Sequence, residues 1–225
     1  MILFSKIIGD KKVSVAQLMK CYNYLIHMEP QITDFMQRTI LNLNTQGLEV
    51  SFIGDENRIK SVHSFLQKCN RPDREFSSIF YIYDILRYTL ILPLNSFKDY
   101  YFQIVSKIIE TYDLYRVKNT WIKFDKDIPY KGINTIFASK GGILFEVQFH
   151  TLDSYIANIK THELYERLLY DSKAGNEESL IKNEMLTYIK DLDVPRGIYD
   201  IFDYDNSKEL LNLITECHPC HPSNG

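Results

Sequence analysis

Hydrophobic and polar positions along this chain change period twice, from helical spacing to strand alternation and back to helical spacing. At the start, Val15, Leu18, Met19, Tyr22, Leu25 and Ile26 recur as on one side of a helix, behind Ser14 as a cap, and Pro30 is expected to close or kink it. A second helix is expected from about Ile32 to Leu43, with Phe35, Met36 and Ile40 inward and Gly47 just past its end. Leu48 to Ile53 has the character of a first strand and ends in the turn-like GDEN. A short helix from about Ser61 to Lys68 and a loop, CNRPDREFSS, follow. A helical turn around Asp84 then feeds a buried strand from Tyr88 to Leu92. Ser96 is expected to cap an amphipathic helix reaching about Thr111, and Leu114 to Ile122 forms a third strand.

The strongest pattern lies between Tyr130 and Thr151, which predicts a β-hairpin turning at Lys140, Gly141 and Gly142. In its second strand Phe145, Val147 and Phe149 point one way, while Glu146, Gln148 and His150 point the other. One face is therefore core, and the other is a polar row suited to holding a ligand. Beyond it, helices are expected from Thr151 or Asp153 to about Leu169, from about Glu178 to Lys190, and from Lys208 to Thr215. Helical ends around a strand-rich middle make this an α+β chain, with terminal helices (1–46 and 173–225) packed on a central core (47–172) as one unit.

Composition narrows the class. The chain has 225 residues, enough for a substantial core without disulfides, and 45% of them are hydrophobic. A net charge of −3 argues against a general electrostatic hold on nucleic acid, although a local basic cleft is compatible with it. No apolar run is long enough to span a membrane, and MILFSKIIGDKK lacks the pattern of a cleavable signal peptide. A cytoplasmic protein is expected, and delivery into another cell by a route that needs no such signal stays open. Cys21 and Cys69 are expected as reduced, buried thiols. Cys217 and Cys220, with His218 and His221, have metal-ligand spacing but no second ligand pair, so a tail is the simpler expectation.

Three separated stretches carry candidate chemistry. Arg58, Lys60, Ser61 and Lys68 combine guanidinium, ammonium groups and a helix start, a set that suits a polyphosphate; taken alone, basic residues in a loop are more often a solvated surface. Asp84 sits in the apolar run IFYIYDILRYTLIL, where a charge must be paired or bind a cation. Arg87, one helical turn on, is one partner, and a metal ion shared with Glu146 is the other reading. Tyr130, flanked by Lys118, Lys126 and Lys131, is placed either to stack on a base or to pack on the hairpin. His150 and His162 are further candidates, the latter also a plausible hydrogen-bond partner for Tyr165.

In order along the chain, RIKS with Lys68 downstream, the Asp84–Arg87 segment, KNTW, PYKGINT and FEVQFHT resemble the synthetase domain of the RelA/SpoT family. Members carry RIKS, D..G.R, KDY, GYRSIHT and EVQIRT in the same order, and the resemblance covers roughly Leu48 to Arg167. With Ser154, Lys160 and His162 to Glu166 it is most similar to the diverged branch found in bacterial toxins and effectors. The resemblance implies a nucleotidyltransferase-like mixed β-sheet and Mg2+-dependent pyrophosphokinase chemistry, with Mn2+ as an alternative ion. The β,γ-pyrophosphate of ATP would pass to the 3′-hydroxyl of an acceptor nucleotide, giving a ppGpp- or ppApp-like product and AMP. By motif, Arg58, Lys60, Ser61, Lys68 and Arg87 would bind ATP, and Asp84 and Glu146 would bind metal and act in catalysis. Lys118, Tyr130, Asn134, Gln148, His150 and His162 would form the acceptor side. Gly132, Asn134 and His150 depart from the family strings, and Arg87 follows Asp84 more closely than the arginine of D..G.R. The 3′ end of tRNA as acceptor, an inactive nucleotide- or protein-binding relative, and an antitoxin or host-protein partner remain alternatives.

Overall fold

The computed structural model describes residues 15–54, 58–69, 84–122, 129–140, 142–170 and 177–206. Expectations for Ser14, the CNRPDREFSS loop, Lys126, the 208–215 helix and the Cys217–His221 cluster lie outside these residues. So does the side chain of Cys21, while Cys69 is a half-buried reduced thiol.

The first helix, α1, runs unbroken from Val15 to Thr45 with Pro30 inside it, so the expected division into two helices is corrected. Proline removes one backbone donor and costs about 3 kcal/mol in a helix interior. Against that cost, Leu18, Tyr22, Leu25, Ile32, Met36, Ile40 and Leu43 bury one continuous stripe along α1. Burying each large aliphatic side chain returns about 1.5–3 kcal/mol, which outweighs a single lost bond. The helix ends at Gly47, whose φ of +96° suits glycine, and Leu48 N–H closes back on the Leu43 carbonyl at 3.2 Å.

Strand β1 (Ser51–Ile53) leads to α2 (Val62–Cys69), then β2 (Arg87–Ile91) and, after a short 3-10 turn at Leu94–Ser96, α3 (Phe97–Ile109). Ser96 makes no side-chain capping bond; the 3-10 turn begins the helix instead. Next come β3 (Asp113–Asn119), β4 (Ile133–Ala138), β5 (Leu144–His150), α4 (Leu152–Tyr170), α5 (Glu178–Thr187) and β6 (Tyr204–Asp205). The six strands form one mixed sheet in the order β1-β2-β5-β4-β3-β6, antiparallel except where β2 runs parallel to β5.

One face of this sheet is the core. Phe145, Val147 and Phe149 are fully buried there beneath α1 and α3, with Tyr112 and Phe137 rings 5.0 and 5.6 Å from Phe145 and Tyr101 4.9 Å from Phe149. The hairpin between β4 and β5 closes through Gly142, at φ +79°, with its N–H donating to the Ser139 carbonyl at 2.8 Å. Alternation along β5 sends Glu146, Gln148 and His150 to the opposite face.

Candidate active site

Register across the sheet assembles the polar face. Arg87, Thr89 and Ile91 of β2 lie beside Glu146, Gln148 and His150 of β5. On the other side Gln148 pairs with Asn134 of β4, and Asn134 in turn pairs with Lys118 of β3. Four strands remote in sequence thus place Arg87, Glu146, Gln148, His150, Asn134 and Lys118 on one surface, because residues in direct register share a face.

The basic segment joins this surface through a short antiparallel bridge. Ile59 pairs with Leu86, Arg87 N–H donates to the Arg58 carbonyl (2.8 Å), and Lys60 N–H donates to the Ile85 carbonyl (2.9 Å). This sets Lys60 beside Asp84, with its Nζ 3.2 Å from Asp84 Oδ2. Ser61 Oγ accepts the Ser64 N–H at 3.1 Å and so caps α2, which carries Lys68 to the same carboxylate, Nζ to Oδ1 2.7 Å. Tyr22 of α1 braces the bridge, its hydroxyl donating to the Lys60 carbonyl at 2.7 Å. Asp84 is therefore paired with two lysines rather than with Arg87.

The two carboxylates are pushed apart in acidity. Burial alone would raise Asp84, but the charges of Lys68 and Lys60 outweigh it and hold the group down at about 2. Glu146, buried on β5, is raised, first by desolvation and then by the negative charge of Asp84, while Arg87 and Lys68 oppose the rise. Asp84 is thus the permanently ionised member and Glu146 the one able to take up a proton, a split that acid–base chemistry uses. Gln148 Nε2 donates to Glu146 Oε1 at 2.7 Å and orients it. Burial lowers the Lys68 ammonium below its usual range.

Among the described residues no group of three or more His, Cys, Asp or Glu side chains is arranged to hold a metal. Asp84 and Glu146 are two carboxylates in electrostatic contact, the donor type Mg2+ takes when phosphate oxygens complete its shell.

The remaining candidates divide. Arg58 turns to α1, where its Nε lies 2.5 Å from Glu29 Oε1. Glu29 is buried and also bonded by Thr33, whose hydroxyl is 2.9 Å from that of Tyr88. Sequence reasoning passed over Glu29, yet its position between Leu25 and Ile32 on the inward stripe of α1 was a usable signal. Tyr130 donates to Asn134 Oδ1 at 2.6 Å and lies 3.0 Å from His150 Nε2, with the two rings edge to face. Burial raises its phenol well above the usual value. His162 lies on the exposed side of α4, its Nδ1 3.9 Å from Glu166 Oε1, and makes no hydrogen bond to Tyr165.

A mixed α+β sheet with one apolar and one polar face, an acidic pair and a lysine cradle define the class. No protein-family model matches the chain, and no curated protein matches it. Among solved structures, small alarmone synthetase 1 from Bacillus subtilis bound to its product pppGpp superposes with a TM-score of 0.55 at 13% identity, covering 90% of this chain and 98% of that one. A second structure of small alarmone synthetase 1 from Bacillus subtilis gives 0.50 at 15% identity over 90% and 96% of the two chains. The protein smu.1046c from Streptococcus mutans UA159 gives 0.51 at 13% identity over 74% and 87%. The chain therefore has the fold of the small alarmone synthetases.

Proposed function

We propose that this protein is a pyrophosphokinase that moves the β,γ-pyrophosphate of ATP to the 3′-hydroxyl of an acceptor nucleotide. The observation that carries the proposal is the acidic pair at the lysine cradle: Asp84 between Lys60 and Lys68, with Glu146 near enough to feel its charge. Enzymes of phosphoryl transfer act mainly by positioning and by neutralising phosphate charge, and this end of the polar face offers both. Lys60 and Lys68 bind the ATP phosphates, and Arg87, opposite Glu146, faces the same space. Asp84 and Glu146 would hold Mg2+ or Mn2+, which supplies further neutralisation of the phosphate oxygens. Glu146, with its raised affinity for a proton, accepts the hydrogen of the attacking hydroxyl.

On β5 itself the other end of the row, Gln148 and neutral His150, carries no charge, and Lys118 lies two strands away beyond Asn134. From Glu146 to His150 the strand advances roughly 13 Å at about 3.3 Å per residue. That is long enough to seat reacting phosphates at one end and the acceptor's base beside Tyr130 and Asn134 at the other. The fold shared with the pppGpp-bound synthetase supports this assignment.

Incubation with β-labelled ATP, Mg2+ and a panel of GDP, GTP, AMP, ADP, ATP and bulk tRNA tests it. Transfer of label to at least one acceptor is expected. A folded protein that binds ATP and labels none of them overturns the proposal.

A further inference from the structure

The inward stripe of α1 carries one carboxylate among its apolar side chains. Glu29 lies between Leu25 and Ile32 and is only 6% exposed, at a place where a leucine or methionine would pack without any electrostatic cost. Its Oε1 accepts the Arg58 Nε–H at 2.5 Å and the Thr33 hydroxyl, and Thr33 Oγ1 lies 2.9 Å from the Tyr88 oxygen of β2. Taking two charges out of water costs about as much as their attraction returns, so such a pair adds little stability; its best-attested use is to fix one register among several.

The segment that Glu29 holds needs such a device. Ile59–Leu86 is an isolated bridge, flanked by the bond from Arg87 N–H to the Arg58 carbonyl and the bond from Lys60 N–H to the Ile85 carbonyl. A ladder this short specifies its register weakly, and a one-residue slip turns every side chain to the other face. Such a slip would carry Lys60 away from Asp84, where its Nζ now lies 3.2 Å from Oδ2. The bridge bonds cannot prevent it, because they join backbone groups that every neighbouring residue also offers. The same holds for Tyr22, about two turns before Glu29 on α1, whose hydroxyl donates to the Lys60 carbonyl at 2.7 Å. Only the Glu29–Arg58 contact involves a side chain found at a single position of the segment, so it alone tells the registers apart.

We propose that Glu29 is a positioning residue of the phosphate site: by taking Arg58 it fixes the register in which Lys60 stands beside Asp84. The inference rests on the reading of Lys60 and Lys68 as phosphate-binding groups, but its test needs no turnover.

The full chain is titrated calorimetrically with tripolyphosphate in the presence of Mg2+. Glu29→Gln keeps the shape and an acceptor for Arg58, Glu29→Met keeps only the volume, and each is checked for folding by its melting curve. By charge alone, removing a carboxylate strengthens the binding of an anion. Loss of register acts in the opposite direction: Glu29→Met is expected to bind tripolyphosphate about tenfold more weakly than the parent, and Glu29→Gln about threefold. Lys60→Met is expected to weaken binding about tenfold in the parent and no further in the Glu29→Met background, because both substitutions remove the same contact. If Glu29→Met does not fold, the cycle is run with Glu29→Gln, in which Lys60→Met costs less than it does in the parent. Binding by the folded Glu29 variants equal to or tighter than that of the parent, or losses from Glu29 and Lys60 that simply add, overturns the inference. A parent that shows these losses but transfers no label overturns the transfer reaction and leaves the inference standing. A parent that binds no tripolyphosphate overturns the phosphate site and the inference together.

Discussion

Asp84 and Glu146 carry the same functional group, and their neighbours give them opposite tendencies. Asp84 is held ionised by two ammonium groups, whereas Glu146 is buried close to another negative charge and resists ionisation. A carboxyl whose folded pKa is raised stabilises the fold below its unfolded pKa and loses that contribution as pH rises through the folded value. At neutral pH Glu146 therefore costs stability, and Glu146→Gln, which keeps the Gln148 bond, is expected to raise the melting temperature by a few degrees. The same change should remove label transfer by about a hundredfold or more, the usual worth of a general base. Asp84→Asn should also end transfer but lower the melting temperature, because Lys60 and Lys68 lose their counter-charge. Calorimetry of the two variants beside the transfer assay checks this opposition. His150 sets a pH response. Its folded pKa of about 4 lies below the ordinary 6.5, so the unfolded chain binds more protons between those values and stability falls as pH drops through that window. The loss is at most about 3 kcal/mol, and His150→Gln should flatten that part of a denaturant-midpoint profile taken from pH 7.5 to 4.

Elements are held where they are by packing that overrides local preference in places. Pro30 breaks the periodic helix signal, yet α1 continues through it because the apolar stripe from Leu18 to Leu43 is buried in one core shared with α3 and the sheet. The proline ring is exposed and contributes nothing to that stripe. Pro30→Ala restores a backbone donor, partly offset by a more flexible unfolded chain, and is expected to stabilise by about 1–2 kcal/mol. A chemical-denaturation midpoint that moves upward checks this, and one that falls means the ring packs in a way the burial pattern does not express. Continuity of α1 also matters for the site. The same helix sends Glu29 to Arg58 and Tyr22 to the Lys60 carbonyl, so one rigid element braces both basic residues of the bridge.

Across the whole molecule, the segment after α5 returns to lock the far side of the sheet. Asn119, fully buried at the end of β3, donates from Nδ2 to the carbonyls of Ile198 (2.9 Å) and Ile201 (2.8 Å) and accepts from Trp121 N–H (3.0 Å). Its own N–H meets Asp203 at 2.6 Å. Asn119→Ala strands the Ile201 carbonyl and the Trp121 N–H, while the Ile198 carbonyl keeps the Ile201 N–H, and is expected to cost about 2 kcal/mol or more, read as a melting point lowered by about 4–8 °C. No helix among the described residues is long and apolar enough to cross a membrane. What the chain by itself determined is which side chains share a face. The period of two in Phe145–His150 and the helical period of α1 and α3 are local properties, and they separated core from polar row before any contact was known. What only the tertiary structure decided is which charge meets which. Asp84 pairs with Lys60 and Lys68 instead of nearby Arg87, Arg58 turns to Glu29, and Gly132 makes room for His150. Those outcomes depend on the Ile59–Leu86 bridge and on parallel pairing of β2 with β5, contacts between segments distant in sequence that no local period encodes.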